Sequence, residues 1–419
     1  MPERFDAVVV GGGHAGLATS CELTRSGVNH VVLERTRIGQ TWRELWLSFC
    51  LVTPNWSVQL PTYPYDGDDP DGFMPRDEIV SYLERYAATT RAPIREGIEV
   101  STVEPSTGGF RISTSDGDHE AGSVVVATGT YGSPVRPHAE TLPPALLQID
   151  VRGYREPSAL PDGAVLVVGS GQSGCQLAEE LHEAGRRVVA ACGKAPWSPR
   201  RVGGRDTVWW AAETGFLDAT AGSLPAPQAR LAANVLTTGH DGGRDLHLRT
   251  LAAMGVSLEG HFLGWEDGRF RFADDLAESV AWGDERYAFF ADLVHTMVAE
   301  RGMEPVELPD PEPFEDTSTG SVDATGFGTV IFAGGFRPDF GSLLPIPEAF
   351  DDLGFPIHDE GQSTVVPGLF FVGVHFLRKR KSSIFYGVGE DAAIVADQVA
   401  ARTGQASGPP QVPPRSRRP

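Results

Sequence analysis

Two glycine patterns carry the chemistry most directly legible in this sequence. Gly11-x-Gly13-x-x-Gly16 stands near the start, and Gly169-x-Gly171-x-x-Gly174 repeats it. Glycines at this spacing let a strand turn sharply into a helix. The backbone can then approach a pyrophosphate, which the free N–H groups of the first helical turn hold. About 20 residues past the first pattern, Glu34 ends the next apolar run. An acid there accepts hydrogen bonds from ribose hydroxyls and repels a 2′-phosphate, so this site favours FAD or NAD over NADP. After the second pattern no acid ends the run. Cys192-Gly193-Lys194 follows, then Arg200, Arg201 and Arg205. Cations in that place suit the 2′-phosphate of NADPH. Gly11, Gly13, His14, Ala15, Gly16 and Glu34 are therefore expected at an FAD site. Gly169, Gly171, Gln172, Ser173, Gly174, Lys194, Arg200 and Arg201 are expected at an NADPH site. Two such sites in one chain imply electron transfer from NADPH to FAD.

Each pattern needs a strand before it and a helix after it. Apolar runs at 7–10 and 31–33 flank the first, with Leu17, Cys21 and Leu23 at helical spacing between them. Runs at 164–168 and 187–191 flank the second, around Leu177, Ala178, Leu181 and Ala184. Repetition of a whole strand–helix–strand unit is far more specific than either motif alone. The expected fold is α/β, with two Rossmann-like dinucleotide-binding domains and the NADPH domain inserted into the FAD domain. The expected boundaries are 1–155 for the first part of the FAD domain, 156–320 for the NADPH domain with a helical insertion, 321–403 for the rest of the FAD domain and 404–419 for a disordered tail. The proline-rich stretch 134–161 reads as a linker, and 304–318 as the second crossing. Further strands are expected at 98–103, 109–114, 121–127, 329–335 and 370–373. Helices are expected at 76–86, 209–216, 227–236, 289–300 and from about 387 to 401.

The formal charge of −21 argues against nucleic acid as a partner. No apolar run approaches the roughly 18 residues of a membrane span, and the first residues already enter a strand. A cytoplasmic protein is expected. Cys21, Cys50, Cys175 and Cys192 are scattered without a C-x-x-C pair, so neither a redox disulfide nor a metal knuckle is suggested. His240, His247 and His261 match no zinc spacing, and no metal is expected. Trp42, Trp46 and Trp56 punctuate a long irregular segment after Glu34, which is expected to cover something large and flat. The basic run Arg378–Lys381 reads as a turn beside the cofactors, ahead of a helix N-terminus at Gly387 to Asp391 that can face negative charge on a reduced flavin.

The chain resembles the class B flavoprotein monooxygenases: flavin-containing monooxygenases, N-hydroxylating enzymes and Baeyer–Villiger enzymes. It looks most like the bacterial branch related to the plant auxin-forming monooxygenases. The resemblance rests on GGGHAG, on Gly39-x-x-Trp42-Arg43, on Trp46 and Thr53-Pro54-Asn55-Trp56, on VVVATG, on GSGQSG, on Arg205-Asp206 and on RKRKS with YGVGEDAA. It implies that NADPH reduces FAD, that O2 is trapped as a flavin C4a-(hydro)peroxide, and that oxygen passes to a small-molecule substrate at nitrogen, sulfur or a ketone. It adds Arg35, Gln40, Trp42, Val100, Thr128, Gly129, Val388 and Asp391 to the FAD set. It also places the amide of Asn55 where it could donate a hydrogen bond to the peroxide; the residue-level alternative for Asn55 is an Asx turn after Pro54.

The sequence departs from the family in one place. Before the second glycine pattern, Asp150 stands where the family's His belongs, and Pro144 and Leu146 replace its Phe and Gly. That His is thought to couple cofactor movement between the half-reactions. N- or S-oxygenation therefore leads over Baeyer–Villiger chemistry. An NADPH:acceptor oxidoreductase or oxidase is the alternative, and a redox-sensing module that acts through a partner is a third. Residue types name no substrate, and oligomeric state stays open, a homodimer included.

Overall fold

The computed structural model describes residues 2–404. The expected disordered tail lies outside the described residues beyond Gly404. In chain order the elements that build the two domains are β1 (Glu3–Val10), α1 (His14–Arg25), β2 (His30–Glu34), β3 (Gly117–Val126), β4 (Leu147–Asp150), β5 (Ala164–Val168), α2 (Gln172–Glu183), β6 (Val188–Ala191), β7 (Ser257–Glu259), α3 (Leu276–Glu300), β8 (Phe327–Phe332), β9 (Leu369–Phe371) and α4 (Val388–Thr403).

The first sheet has nine strands. Its centre runs β9-β3-β1-β2 and on to Ile94–Glu96, all parallel. Ala7 to Val10 of β1 are buried on both faces, which is what a central parallel strand with covered faces requires. One face packs under α1, α4 and the helix Arg76–Thr90, with Leu17, Leu83, Val395 and Val399 fully buried. The other face holds Phe110, Phe340, Phe355 and Phe371.

The second sheet has five parallel strands in the order β4-β8-β5-β6-β7. Leu177, Leu181 and Leu276 pack on one face, and Phe262, Phe270 and Phe332 on the other. Both sheets are thus layered with the Rossmann logic expected from the repeat.

Several expectations change. The stretch 134–161 is more than a linker, because it contains β4, which pairs with β8. Strand β8, expected in the closing part of the FAD domain, belongs to the second sheet. The strands of the second domain therefore run from Leu147 to Phe332, wider than the expected 156–320. β4 is an edge strand whose first three residues are exposed or half-buried, so it lacks the apolar run that would have marked it. The chain crosses between domains at Ser133–Pro134, which pairs antiparallel with the return at Phe336–Arg337. The expected helix at 227–236 is a 3-10 turn, Pro227–Leu231. The helix expected from 289 begins at Leu276. A Cβ on Gly283 of this helix would lie 2.9 Å from Ala195 O, so the helix needs a glycine where it crosses the loop after β6.

Candidate functional site

Both glycine patterns sit at the C-terminal ends of central strands, where open α/β sheets bind ligands. In the first cradle, Gly11 has φ 109° and a Cβ on Gly16 would fall 1.9 Å from Gly11 O. The second is superposable in these terms: Gly169 has φ 111°, and a Cβ on Gly174 would fall 1.9 Å from Gly169 O. No side chain fits either gap. α1 and α2 are capped by Gly13 and Gly171 with no side-chain hydrogen bond, so their first-turn N–H groups stay available. Around Gly13 nothing lies within 4 Å of where a Cβ would sit, which leaves room for a ligand over the helix N-terminus.

The two cradles are closed by different chemistry. Glu34 Oε2 accepts the Gly12 N–H at 2.7 Å, and Oε1 accepts from Thr36 N at 2.9 Å and Thr36 Oγ1 at 3.1 Å. The carboxylate is thereby fixed at the end of β2. The middle glycine, Gly12, was not singled out in the sequence. It is required because a Cβ there would meet Glu34 Cβ at 2.9 Å and Ile94 Cδ1 at 2.8 Å. In the second cradle Ser170 occupies the place of Gly12. Its Oγ accepts the Gly193 N–H at 2.9 Å and lies 3.0 Å from Gly193 O. Lys194, next in the chain, is exposed.

The cations after β6 divide. Arg201 is exposed, and its Nη2 donates to Gly242 O at 3.0 Å. Arg200, expected at the phosphate, is 2% exposed. It pairs with Asp206 at 2.6 Å, donates to Val52 O at 2.8 Å and lies over the Phe73 ring. It is a structural tie between the domains. His261, set aside with the other histidines, stands at Gly193, 2.8 Å from where a Cβ would be, and pairs with Asp275 at 2.7 Å. Gln172 is locked to the segment over the second cradle: the Thr237 N–H donates to its Oε1 at 3.2 Å, and its Nε2 donates to Thr237 O. Ser173 is half-buried beside it.

Above the first cradle the aromatic segment does span a broad area. Trp42, in the turn of helix Gln40–Arg43, stacks on Phe385 at 5.5 Å, and His14 lies 4.9 Å from the same ring. His14 Nε2 donates to Ser383 O at 3.1 Å, and burial pushes its pKa down to about 4, so the ring is neutral. Trp46 leaves this group altogether and is buried in the core of the second domain. Gln40 donates to Glu44 Oε1 at 3.0 Å. Thr128 is exposed beside Gly11, Gly129 is half-buried with φ 79°, and Ala15 is buried under Gly373. Arg35 is exposed just past Glu34, and Val100 is half-buried on the far face of the sheet.

Asn55 is 5% exposed. Its Nδ2 donates to Asp69 O at 2.9 Å, and its Oδ1 is buried without a partner. The bond closes the base of the 55–72 loop, so it is not an Asx turn. Val388 is fully buried, and Asp391 pairs with Arg378 at 3.0 Å, with burial raising its carboxyl pKa. Asp150 pairs with Arg136, and its Oδ1 accepts the Arg152 N–H at 2.9 Å. The carboxylate at the family's His position is thus engaged where the chain enters the second domain. All four cysteines are free and buried. Among the described residues no helix is long and apolar enough to cross a membrane.

The residues present fit FAD in the first cradle and NADPH in the second. The first offers a fixed acid, open helix N–H groups and an aromatic cover. The second offers the same helix end with a hydroxyl in place of the acid closure, and Lys194 and Arg201 after it in the chain are exposed.

The family model described as pyridine nucleotide-disulphide oxidoreductase matches residues 8–206. An oxidoreductase of Geobacillus kaustophilus (strain HTA426) described as CzcO-like is 30% identical over 402 residues, covering 95% of this chain and 99% of that protein. A probable indole-3-pyruvate monooxygenase of Arabidopsis thaliana is 30% identical over 183 residues, 42% of this chain and 43% of its own. The fold matches a flavin-containing monooxygenase from Stenotrophomonas maltophilia with TM-score 0.68 at 20% identity, covering 96% of this chain and 99% of that one. It matches an ornithine N-hydroxylase of Kutzneria sp. 744 with TM-score 0.62 at 15% identity, covering 96% and 100%. With identity sustained along nearly its whole length, this chain belongs to the CzcO-like oxidoreductases and is a flavin-dependent oxidoreductase.

Proposed function

We propose that this chain is an NADPH-dependent, FAD-containing monooxygenase that uses O2 to oxygenate a small molecule at nitrogen or sulfur. The observation that carries the reading is the pair of cradles with opposite closures: an acid at the first, no acid and exposed cations at the second. FAD held in the first cradle would supply the hydride acceptor for NADPH and the centre that reacts with O2. The chain's own residues do the rest. Glu34 fixes one ribose and disfavours a phosphate on it. Lys194 and Arg201 bind the other nucleotide by its extra phosphate. Trp42, Phe385 and His14 form an apolar cover that keeps water off the reacting edge, and neutral His14 adds no charge there. Asn55 offers its second N–H, with Oδ1 free to accept.

The S. maltophilia flavin-containing monooxygenase and the Kutzneria ornithine N-hydroxylase support oxygen insertion, and the latter was solved with reduced FAD, NADP+ and ornithine. The absence of a cysteine pair in the sequence supports O2 over a disulfide as electron acceptor. A second reading, an oxidase or NADPH:acceptor reductase, is favoured by Asp150, since its pairing with Arg136 replaces the family's His.

The test is anaerobic reduction with NADPH followed by stopped-flow mixing with oxygenated buffer. A long-lived absorbing species distinct from oxidised FAD, converted to product by an amine or sulfide, is the expected result. Direct return to oxidised FAD with stoichiometric peroxide, unchanged by any amine, sulfide or ketone, would establish the oxidase reading instead.

A further inference from the structure

The basic run Arg378–Lys381 leads into α4, and three of its four cations are neutralised. Arg378 pairs with Glu360 at 2.5 Å and with Asp391 at 3.0 Å. Lys379 and Lys381 both reach Asp218 and Glu390. Arg380 alone in the run pairs with no carboxylate among the described residues. Its guanidinium lies between two rings, Phe216 at 4.3 Å and Phe376 at 4.8 Å. Its Nε is buried without a hydrogen-bond partner, while its backbone N–H is spent on Ala219 O at 2.8 Å. Burial alone lowers its pKa to about 10.

A second cation reinforces the place. Arg230 Nη2 donates to His375 O at 3.2 Å and Phe376 O at 3.4 Å, and its nearest acid, Asp351, stands at 3.6 Å. The site adjoins the first cradle. His375 Nδ1 lies 3.4 Å from Ser383 Oγ, and the carbonyl of Ser383 accepts the bond from His14. In a protein of formal charge −21, a half-buried guanidinium with a buried Nε and no acid beside it is a costly arrangement unless an anion arrives from outside. The two rings lie against the guanidinium carbon, and no hydrogen bond among the described residues uses its terminal N–H groups, which can donate to a planar bidentate anion. Phe216, half-buried, offers an apolar wall to whatever the anion is attached to, while Phe376, 1% exposed, backs the guanidinium from the core.

We propose that Arg380, held between Phe216 and Phe376, binds the carboxylate of the substrate, which is accordingly an apolar or aromatic small molecule bearing a carboxylate. The anion site stands on geometry alone; calling its occupant the substrate rests on the monooxygenase reading above. A cofactor phosphate could supply the same anionic chemistry, and the experiment separates the two sources.

The FAD-bound protein is titrated with benzoate and with benzamide by calorimetry, in the absence of NADPH. Benzoate is expected to bind at least tenfold more tightly than benzamide. Arg380→Gln is expected to erase that preference and Arg380→Lys to retain part of it. FAD content and NADPH affinity should stay within twofold in both variants. Phe216→Leu, which keeps the charge and removes one wall, is expected to weaken benzoate severalfold. Equal binding of benzoate and benzamide to the unaltered protein would overturn the proposal whether or not any variant folds. So would Arg380→Gln that lowers FAD content or NADPH affinity tenfold with the benzoate preference intact, since that would assign Arg380 to a cofactor phosphate. Failure of the monooxygenase reading registers separately, in flavin reoxidation.

Discussion

In the first cradle a carboxylate reaches from the end of β2 back to the Gly12 N–H; in the second a hydroxyl reaches from the loop, Ser170, forward to the Gly193 N–H. The backbone task is the same in both: the loop is tied to the neighbouring strand so that the helix N-terminus faces outward. The side chain that does it sets the charge of the ribose corner. On the proposed function, an acid tie would suit an unphosphorylated ribose. A neutral tie would leave that corner to cations such as Lys194 and Arg201, both exposed. One turn would then serve two nucleotides through a single exchange of closure.

The strongest way to break this comparison is at the shared geometry. Gly16→Ala and Gly174→Ala each drive a methyl to 1.9 Å from a carbonyl oxygen. Gly16→Ala is expected to yield protein without flavin, read as lost visible absorbance. Gly174→Ala is expected to keep flavin and lose NADPH-driven reduction by more than about 100-fold, a cost of about 3 kcal/mol. If Gly174→Ala emptied the flavin site as well, the cradles would not be separable.

Next in size is the division among the arginines. Arg200→Met leaves Asp206 buried and unpaired, which costs about 3–5 kcal/mol in chemical denaturation. The NADPH-over-NADH preference of the surviving protein should be unchanged. Lys194→Ala with Arg201→Ala should do the opposite: stability within about 0.5 kcal/mol, and the preference reduced about tenfold.

The closure itself is tested by Glu34→Gln, which keeps the shape and removes the charge. Weakening of FAD by about tenfold to 100-fold is expected from equilibrium dialysis, in line with charge-assisted bonds of about 1.5–3 kcal/mol. Ser170→Ala, which removes the hydroxyl's bonds to both the N–H and the carbonyl of Gly193, should cost about 1–2 kcal/mol of stability.

The smallest effect is in pH. His14 of the first cradle corresponds to Gln172 of the second. Its folded pKa of about 4 lies below the unfolded value of 6.5. The unfolded chain therefore binds the extra proton between those values, and stability is full above pH 6.5 and falls as pH drops toward 4. His14→Gln should flatten part of that acid limb in thermal melts run from pH 7 to 4, with His247 and His375, also held near 4, supplying the remainder.

The repeat made the fold readable, because spacing of glycines and apolar runs is a local property of the chain. Gly11, Gly16, Gly169 and Gly174 behave as their positions demand. Strand β4 escaped notice because an edge strand with exposed residues and proline-rich flanks has no apolar signature. Arg200 could not be told from Arg201 in the sequence, since only the packing of Phe73, Val52 and Asp206 around it decides which of two adjacent arginines is buried. Trp46 is similar: three tryptophans in one segment look alike until one enters the other domain's core. The amide of Asn55 was visible as a residue type, but its bond to Asp69 O spans 14 positions and depends on how the loop closes.

The ribbon of Ser133–Pro134 against Phe336–Arg337 brings entry to and exit from the inserted domain side by side. All five strands of the second sheet lie between them, and the core over that sheet is completed by Trp46 from the segment before. In the first sheet β3 must wait for β9, whose Leu369 pairs with Val124. A loop that long adds only modestly to closure entropy, yet in synthesis the five strands of the second sheet are all made before β9 and α4, which complete the first sheet and its helical layer.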